Sequence, residues 1–323
     1  MSRQPLAVPF GATASRPTWE ELPGEVRALI EERAGSAVLQ SISQGAGFTS
    51  GFASRLVLAD GRRLFVKAAS SELSPVAHPS YVHEAEVVSA LPVEVPAPRV
   101  RWVEHIGTWV VLGIDDVEGR SPQRPWQSDE LEVVLAALTG LAAALTPVPA
   151  SLGAVTPLSE YDDEMSFWRR RSAGDPVALS RPLAPGWEAR VDGLAALESE
   201  WVVLCGGDTA THFDLRDDNV LLTVDGQVLV CDWNWLTRGA AWLDLAGLLV
   251  SAHGDGFDSD ALWHSHPLSA GVPARALDAF LAALSGLFVE YAAHESDARS
   301  PWLRVHQAWW RDASLSWLGA RLA

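Results

Sequence analysis

One histidine, two aspartates and an asparagine stand at a spacing that suits phosphoryl transfer. The segment Thr211-His212-Phe213-Asp214-Leu215-Arg216-Asp217-Asp218-Asn219 reads H-x-D-x-x-x-x-N, and an apolar run, 220–222, follows it. Asp225-Gly226 turns the chain, a second apolar run returns, and Asp232 closes the pattern. Phosphoryl transfer asks little covalent work of a protein and depends on positioning and charge neutralisation. Asp214 would orient an acceptor hydroxyl or take its proton. Asn219 and Asp232 carry hard oxygens that could hold Mg²⁺ between nucleotide phosphates. Arg216 could offset charge on the phosphoryl in transfer. Each residue alone is an ordinary turn former or strand end; the chemistry lies in the combination.

A second group lies upstream. Gln44-Gly45-Ala46-Gly47-Phe48-Thr49-Ser50-Gly51 is a glycine turn whose backbone could approach phosphates, with Thr49 and Ser50 as further donors. It lacks the G-x-x-x-x-G-K-[ST] pattern, so a P-loop fold is disfavoured. Lys67 follows in Leu64-Phe65-Val66-Lys67-Ala68. It is the one lysine among 24 basic residues, in a composition that a GC-rich coding sequence would push toward arginine. A compact ammonium has uses that a guanidinium does not serve. On a strand that otherwise reads as buried, it needs partners. A nucleotide phosphate and a carboxylate would serve, the latter from Glu84 or Glu86. Glu84 is preferred because it falls near the face of Val87, Val88 and Leu91.

The elements that must position these groups divide into two. Residues 1–116 read as mostly β: strands at 53–58 and 63–68 about an Asp60-Gly61 turn, a helix at 81–91 ended by Pro92, and strands at 99–103 and 108–114. Residues 117–323 read as mostly helical, at 129–145 with Ser128 as cap, then 160–171, 187–204, 240–251, 272–294 and 301–322. Among these helices sits the hairpin of 220–224 and 227–231. The boundary falls in Ile114-Asp115-Asp116-Val117-Glu118-Gly119. The expected fold is α+β and bilobal, a small β-rich lobe, a hinge and a larger helical lobe containing a β-hairpin.

The formal charge is −17, with −3 over residues 1–116 and −14 over 117–323. Such an excess argues against nucleic acid as a partner. No apolar run reaches the roughly 18 residues that would suggest a membrane span. The first residues lack a signal-like apolar stretch. Two cysteines, Cys205 and Cys231, are too few for a disulfide framework, so a cytoplasmic setting is expected. The acidic second part suggests a cationic acceptor, with Asp162, Asp163, Glu164, Asp255, Asp258 and Asp260 as candidates.

Together these residues resemble the aminoglycoside phosphotransferase family of the protein-kinase-like fold, whose relatives include choline kinases and other small-molecule kinases. The likeness runs from about Ser41 to the C-terminal helices. It implies that Gly47, Phe48, Thr49 and Ser50 belong to the nucleotide-clamping hairpin and that the backbone around Ile114 and Val117 meets the base. Lys67 would hold the α- and β-phosphates of ATP or GTP, and Glu84 would orient Lys67. Asp214 would be the catalytic base, His212 would orient its loop, and Asn219 and Asp232 would bind Mg²⁺. Leu243-Asp244-Leu245-Ala246 resembles the family segment whose Asp braces the catalytic loop. Two departures stand out. Gly51 lies one residue further along than the protein-kinase glycine loop has it. Asp232 is followed by Trp233-Asn234-Trp235 rather than Phe-Gly. The implied activity is transfer of a γ-phosphoryl to a hydroxyl of an antibiotic. A metabolic kinase for choline, homoserine or another small alcohol is the alternative, and a catalytically dead nucleotide-binding module is a third reading.

Overall fold

The computed structural model describes residues 8, 9 and 13–323, apart from 178, 180, 181, 184, 185 and 297. Much of the stretch read for a signal segment lies outside the described residues. The chain opens with α1 (Gly24–Ala34) and β1 (Val38–Ser43), neither anticipated from the sequence. There follow β2 (Phe52–Leu58), β3 (Arg63–Ser70), α2 (Ala77–Ala90), β4 (Val100–Ile106) and β5 (Trp109–Ile114). The five strands form one antiparallel sheet in the order β1-β2-β3-β5-β4.

Side chains alternate across this sheet, which explains both its cores. Leu64, Val66 and Ala68 of β3 and Val111 of β5 face α1, where Val26 and Ile30 cover them. Ala69, Val110, Leu112 and Ile114 face the other way, against Tyr81 and Ala85 of α2. β5 is buried along its whole length, so it reads as an unbroken apolar run. Lys67 shares the parity of Ala69. It therefore points toward α2.

The remainder contains β6 (Gly119–Arg120), α3 (Ser128–Ala144), β7 (Thr156–Pro157), α4 (Phe167–Ser172), α5 (Val191–Glu198) and α6 (Trp201–Leu204). After these come β8 (Thr209–Thr211), β9 (Val220–Thr223), β10 (Val228–Val230), β11 (Thr237–Gly239), α7 (Leu243–Gly254), α8 (Ser259–Ser265), α9 (Ala274–Tyr291) and α10 (Leu303–Arg321). α7 is buried at nearly every position, and α3, α8 and α10 pack around it. Two small sheets, β10-β9-β6 and β7-β11-β8, hold the loops between them. Among the described residues no helix is long and apolar enough to cross a membrane.

Three expected helices differ. Residues 160–171 split into a 3₁₀ turn, Leu158–Tyr161, and α4, with Ser166 Oγ donating to the Asp163 carbonyl at 2.5 Å between them. Residues 187–204 split into a 3₁₀ turn, α5 and α6. Ser199 Oγ donates to the Ala196 carbonyl at the second break. Such local bonds compete with the helical ladder. Ser128 is the first helical residue of α3 rather than its cap. Gln127 holds the cap position, and no side chain caps this end.

Candidate active site

The upper wall of the cleft is built on β3 and α2. Lys67 Nζ lies 2.7 Å from both carboxylate oxygens of Glu84 and also pairs with Asp232. Glu84 is buried, whereas Glu86 faces solvent, which decides between the two carboxylates in favour of Glu84. Burial alone would lower the Lys67 pKa; Asp232 and Glu84 override it and hold the ammonium well above its ordinary value. Burial pushes Glu84 up to about 7 against the pull of Lys67. Asp232 goes the other way: burial opposes its charge, but Lys67 brings it down to about 2.

The lower wall is an irregular loop held by side chains. Asp244, near the start of α7, accepts the His212 and Phe213 amides at 2.9 and 2.8 Å. His212 is fully buried. Its Nδ1 accepts the Asp214 amide at 3.3 Å, which makes Nε2–H the donor to the Cys231 carbonyl at 2.9 Å. Both ring nitrogens are thereby engaged in holding the loop. Trp233, standing where protein kinases have Phe, is buried and lies edge-on to the His212 ring at 4.8 Å. Phe213 and Asp232 are the non-glycine residues with positive φ among those described, at 64° and 61°. Strain of this kind persists only where surroundings over-determine it.

Asn219 Nδ2 donates to the Asp214 carbonyl at 2.8 Å and approaches its Oδ2 at 3.3 Å. Its Oδ1 is buried and without a hydrogen-bond partner among the described residues. A buried acceptor left unpaired is costly and calls for a ligand. That oxygen and the Asp232 carboxylate are the hard donors Mg²⁺ takes, usually alongside substrate phosphates and water. The residues therefore fit the ion. Burial raises the Asp214 pKa, against Arg216 and His212.

Arg216 has carboxylate partners within the loop. Its guanidinium pairs with Asp218 at 3.0 Å and lies 3.3 Å from Asp214, so neighbouring carboxylates already balance its charge. Phe48 departs from expectation. Its ring lies 4.5 Å from His306 of α10, and its carbonyl accepts Ser300 Oγ, which turns it away from the main cleft. Gly47 and Thr49 line that cleft; Ser50 does not. A Cβ on Gly51 would stand 2.7 Å from the Tyr81 ring, which explains a glycine at this shifted position.

Ile114 and Val117 line the opposite end of the cleft. The Val117 carbonyl already accepts Arg55, and the Asp115 amide donates to the Arg99 carbonyl at 2.9 Å. Those two backbone groups are committed elsewhere than to a base. Asp116 ties the strand ends together by pairing with Arg55 and Arg63 at 3.0 and 2.7 Å. Sequence reasoning missed these arginines, and an Asp-Asp pair at the end of an apolar strand was the available signal. It also missed Arg124, which joins Asp217 to Asp255 at 2.7 and 2.9 Å.

The cleft between the walls holds a cavity of about 140 Å³ and opens to solvent. Four of the six acidic acceptor candidates are occupied structurally. Asp162 pairs with Arg169, Asp255 with Arg124, and Asp260 with Arg321; Asp258 caps α8. Asp163 and Glu164 remain exposed.

A small β-sheet lobe above a helical lobe, with a lysine, a glutamate and a looped aspartate converging between them, defines a protein-kinase-like phosphotransferase architecture. The sequence model of the phosphotransferase enzyme family matches residues 45–294, and the chain belongs to that family. No curated protein matches it. Among solved structures, a thermostable mutant of the aminoglycoside phosphotransferase APH(4)-Ia, in ternary complex with ADP and hygromycin B, aligns with a TM-score of 0.59 at 14% identity. That alignment covers 92% of this chain and 98% of that one. Spectinomycin phosphotransferase APH(9)-Ia, with ADP and spectinomycin, aligns at 0.60 and 12%, covering 92% and 98%. LicA in complex with AMP aligns at 0.58 and 11%, covering 93% and 100%. At these identities the likeness establishes the fold, which is the α+β, bilobal, protein-kinase-like one.

Proposed function

We propose that this chain is a cytoplasmic small-molecule kinase that moves the γ-phosphoryl of ATP or GTP to a hydroxyl of an aminoglycoside or other sugar-containing antibiotic, and so confers resistance. The observation that carries the kinase part is the buried, unpartnered Oδ1 of Asn219, held beside Asp214 and across from Asp232. The antibiotic part draws on the bound ligands of two structural neighbours, hygromycin B and spectinomycin. We divide the lobes at Asp116 and Val117.

Lys67 binds the α- and β-phosphates, and Glu84 holds its ammonium in place. Asp232 pairs with Lys67 in this structure. Asn219 and Asp232 would hold Mg²⁺, which would supply charge neutralisation to the phosphates. Asp214 takes the proton of the acceptor hydroxyl as that oxygen attacks, or orients it. The raised pKa of Asp214 suits a base, since its carboxylate holds a proton more readily than a free one. Arg216 balances the loop carboxylates and keeps Asp214 oriented. His212 and Asp244 hold the loop.

The test is an acceptor screen. Purified protein with Mg²⁺ and ATP or GTP is offered hydroxylated antibiotics and, in a second arm, small alcohols such as choline and homoserine. A mass gain of one phosphoryl group on an antibiotic is the expected result. Gain only on a small alcohol would replace the antibiotic reading with the metabolic one. Nucleotide binding without turnover on any acceptor would favour a dead module.

A further inference from the structure

Arg16 lies well before the region that the family model matches, yet its side chain lines the phosphate end of the cleft together with Gly47, Thr49, Lys67 and Asp232. Its NH2 donates to the Ala46 carbonyl at 2.8 Å. Its NH1 donates to the Gly51 carbonyl at 3.1 Å and to Tyr81 Oη at 3.2 Å. Its Nε is buried with no hydrogen-bond partner among the described residues. Thr13, three residues earlier, takes the Gly45 and Gly47 carbonyls. The segment from Thr13 to Arg16 thus occupies carbonyl oxygens along the glycine turn, the groups that would repel a phosphate.

The charge balance points the same way. The Lys67 ammonium is shared between two carboxylates, Glu84 and Asp232, so much of its charge is already engaged before any nucleotide enters. Among the described residues Arg16 pairs with no carboxylate; its hydrogen bonds go to neutral oxygens. It brings a guanidinium with no paired carboxylate, though its charge reaches Asp232, to the place where a polyanion would bind. Arginine is also the residue whose planar fork suits phosphate oxygens.

We propose that Arg16 is a second phosphate-binding cation, delivered from the N-terminal segment onto the underside of the glycine turn, and that it works with Lys67 on the nucleotide's phosphates. The proposal rests on the nucleotide-binding part of the function above. It assigns a binding residue that neither the catalytic motif nor the family match contains.

The experiment is calorimetric titration of the full chain and of Arg16→Gln and Arg16→Lys with a nucleoside and its mono-, di- and triphosphates, in the adenine or guanine series that the wild type binds. Arg16→Gln should weaken di- and triphosphate binding about tenfold, the scale of one lost charge-assisted contact. Nucleoside binding should stay unchanged, and Arg16→Lys should fall between. Equal weakening across the series, nucleoside included, would reduce Arg16 to a prop for the turn and overturn the proposal. So would wild-type triphosphate affinity in Arg16→Gln. If Arg16→Gln fails to fold, the same contrast between triphosphate and nucleoside is read from Arg16→Lys. A wild type that binds no nucleotide would sink the kinase reading itself, a result distinguishable from loss of the Arg16 effect alone.

Discussion

The two walls of the cleft meet at one ion pair, Lys67 with Asp232, but they are built on opposite physical plans. The upper wall is regular. Lys67 and Glu84 sit on a strand and a helix whose apolar neighbours fix their direction through ordinary periodicity. The lower wall is irregular. Asp214, Asn219 and Asp232 sit on loops that two positive-φ residues bend and that Asp244, His212 and Asn219 hold through side-chain bonds to backbone. The regular wall places a charge by packing, and the irregular wall places reacting groups by hydrogen bonds. Damage to the first should therefore appear mainly as lost stability, and damage to the second mainly as lost rate.

The largest effect should fall on the lower wall. Asp214→Asn is nearly isosteric and keeps the Asn219 bond to the Asp214 carbonyl. It should lower kcat by about 10²–10⁴, the range for a lost general base, while nucleotide affinity by calorimetry stays near wild type. Retained kcat on the true acceptor would disprove the base assignment. The wild-type pH profile should carry the same signature. A base works only when deprotonated, and burial raises the Asp214 pKa above its ordinary 3.8. The rate should therefore fall as pH drops through a limb lying above that value.

On the upper wall, Leu112→Ala should cost about 2–5 kcal/mol in denaturant unfolding, since Leu112 is fully buried between β5 and α2. Lys67→Met tests the charge rather than the packing. It leaves Glu84 and Asp232 facing each other without their cation. Their partial solvent access at Asp232 keeps the cost below a fully buried case, so about 2 kcal/mol is expected. The double variant Lys67→Met with Glu84→Gln should recover most of it. Failure of that recovery would mean Lys67 is held by packing and not by its carboxylates.

This contrast also governs what the sequence could disclose. The upper wall was legible from pattern: alternation in β3, the Asp60-Gly61 turn and the choice of Glu84 all follow from which faces are apolar. The lower wall was legible only as a motif, because a loop has no period. What stayed hidden has a physical reason in each case. α1 carries little apolar patterning, with buried residues at Val26, Ile30 and Ala34 only. The breaks in 160–171 and 187–204 arise from serine hydroxyls bonding nearby carbonyls, a choice the backbone makes only in context. Arg216 looked free because its partner Asp218 is two residues away and reads as a turn former. Phe48 turned to His306, some 250 residues on, which no local signal could announce. The acidic lobe looked like one binding surface until Arg124, Arg169 and Arg321 were found to occupy Asp255, Asp162 and Asp260.

The smallest effect is the sharpest test of the irregular plan. At most positions alanine is better tolerated than glycine, by roughly 0.5–1 kcal/mol, because glycine has more freedom to lose. Phe213 should invert that order. Its φ of 64° puts any Cβ against the following carbonyl, a cost of about 1–2 kcal/mol that glycine avoids. Phe213→Ala loses the ring contact with Tyr161, whose centroid is 5.4 Å away, and keeps the strained Cβ. Phe213→Gly loses the same contact but relieves the strain. Phe213→Gly should therefore unfold at higher denaturant than Phe213→Ala, by about 1 kcal/mol, and lie close to wild type. Both should lose rate, because the residue before Asp214 sets where that carboxylate stands. If alanine proves the more stable of the two, the left-handed backbone at Phe213 is not being imposed by Asp244, and the lower wall owes its shape to packing after all.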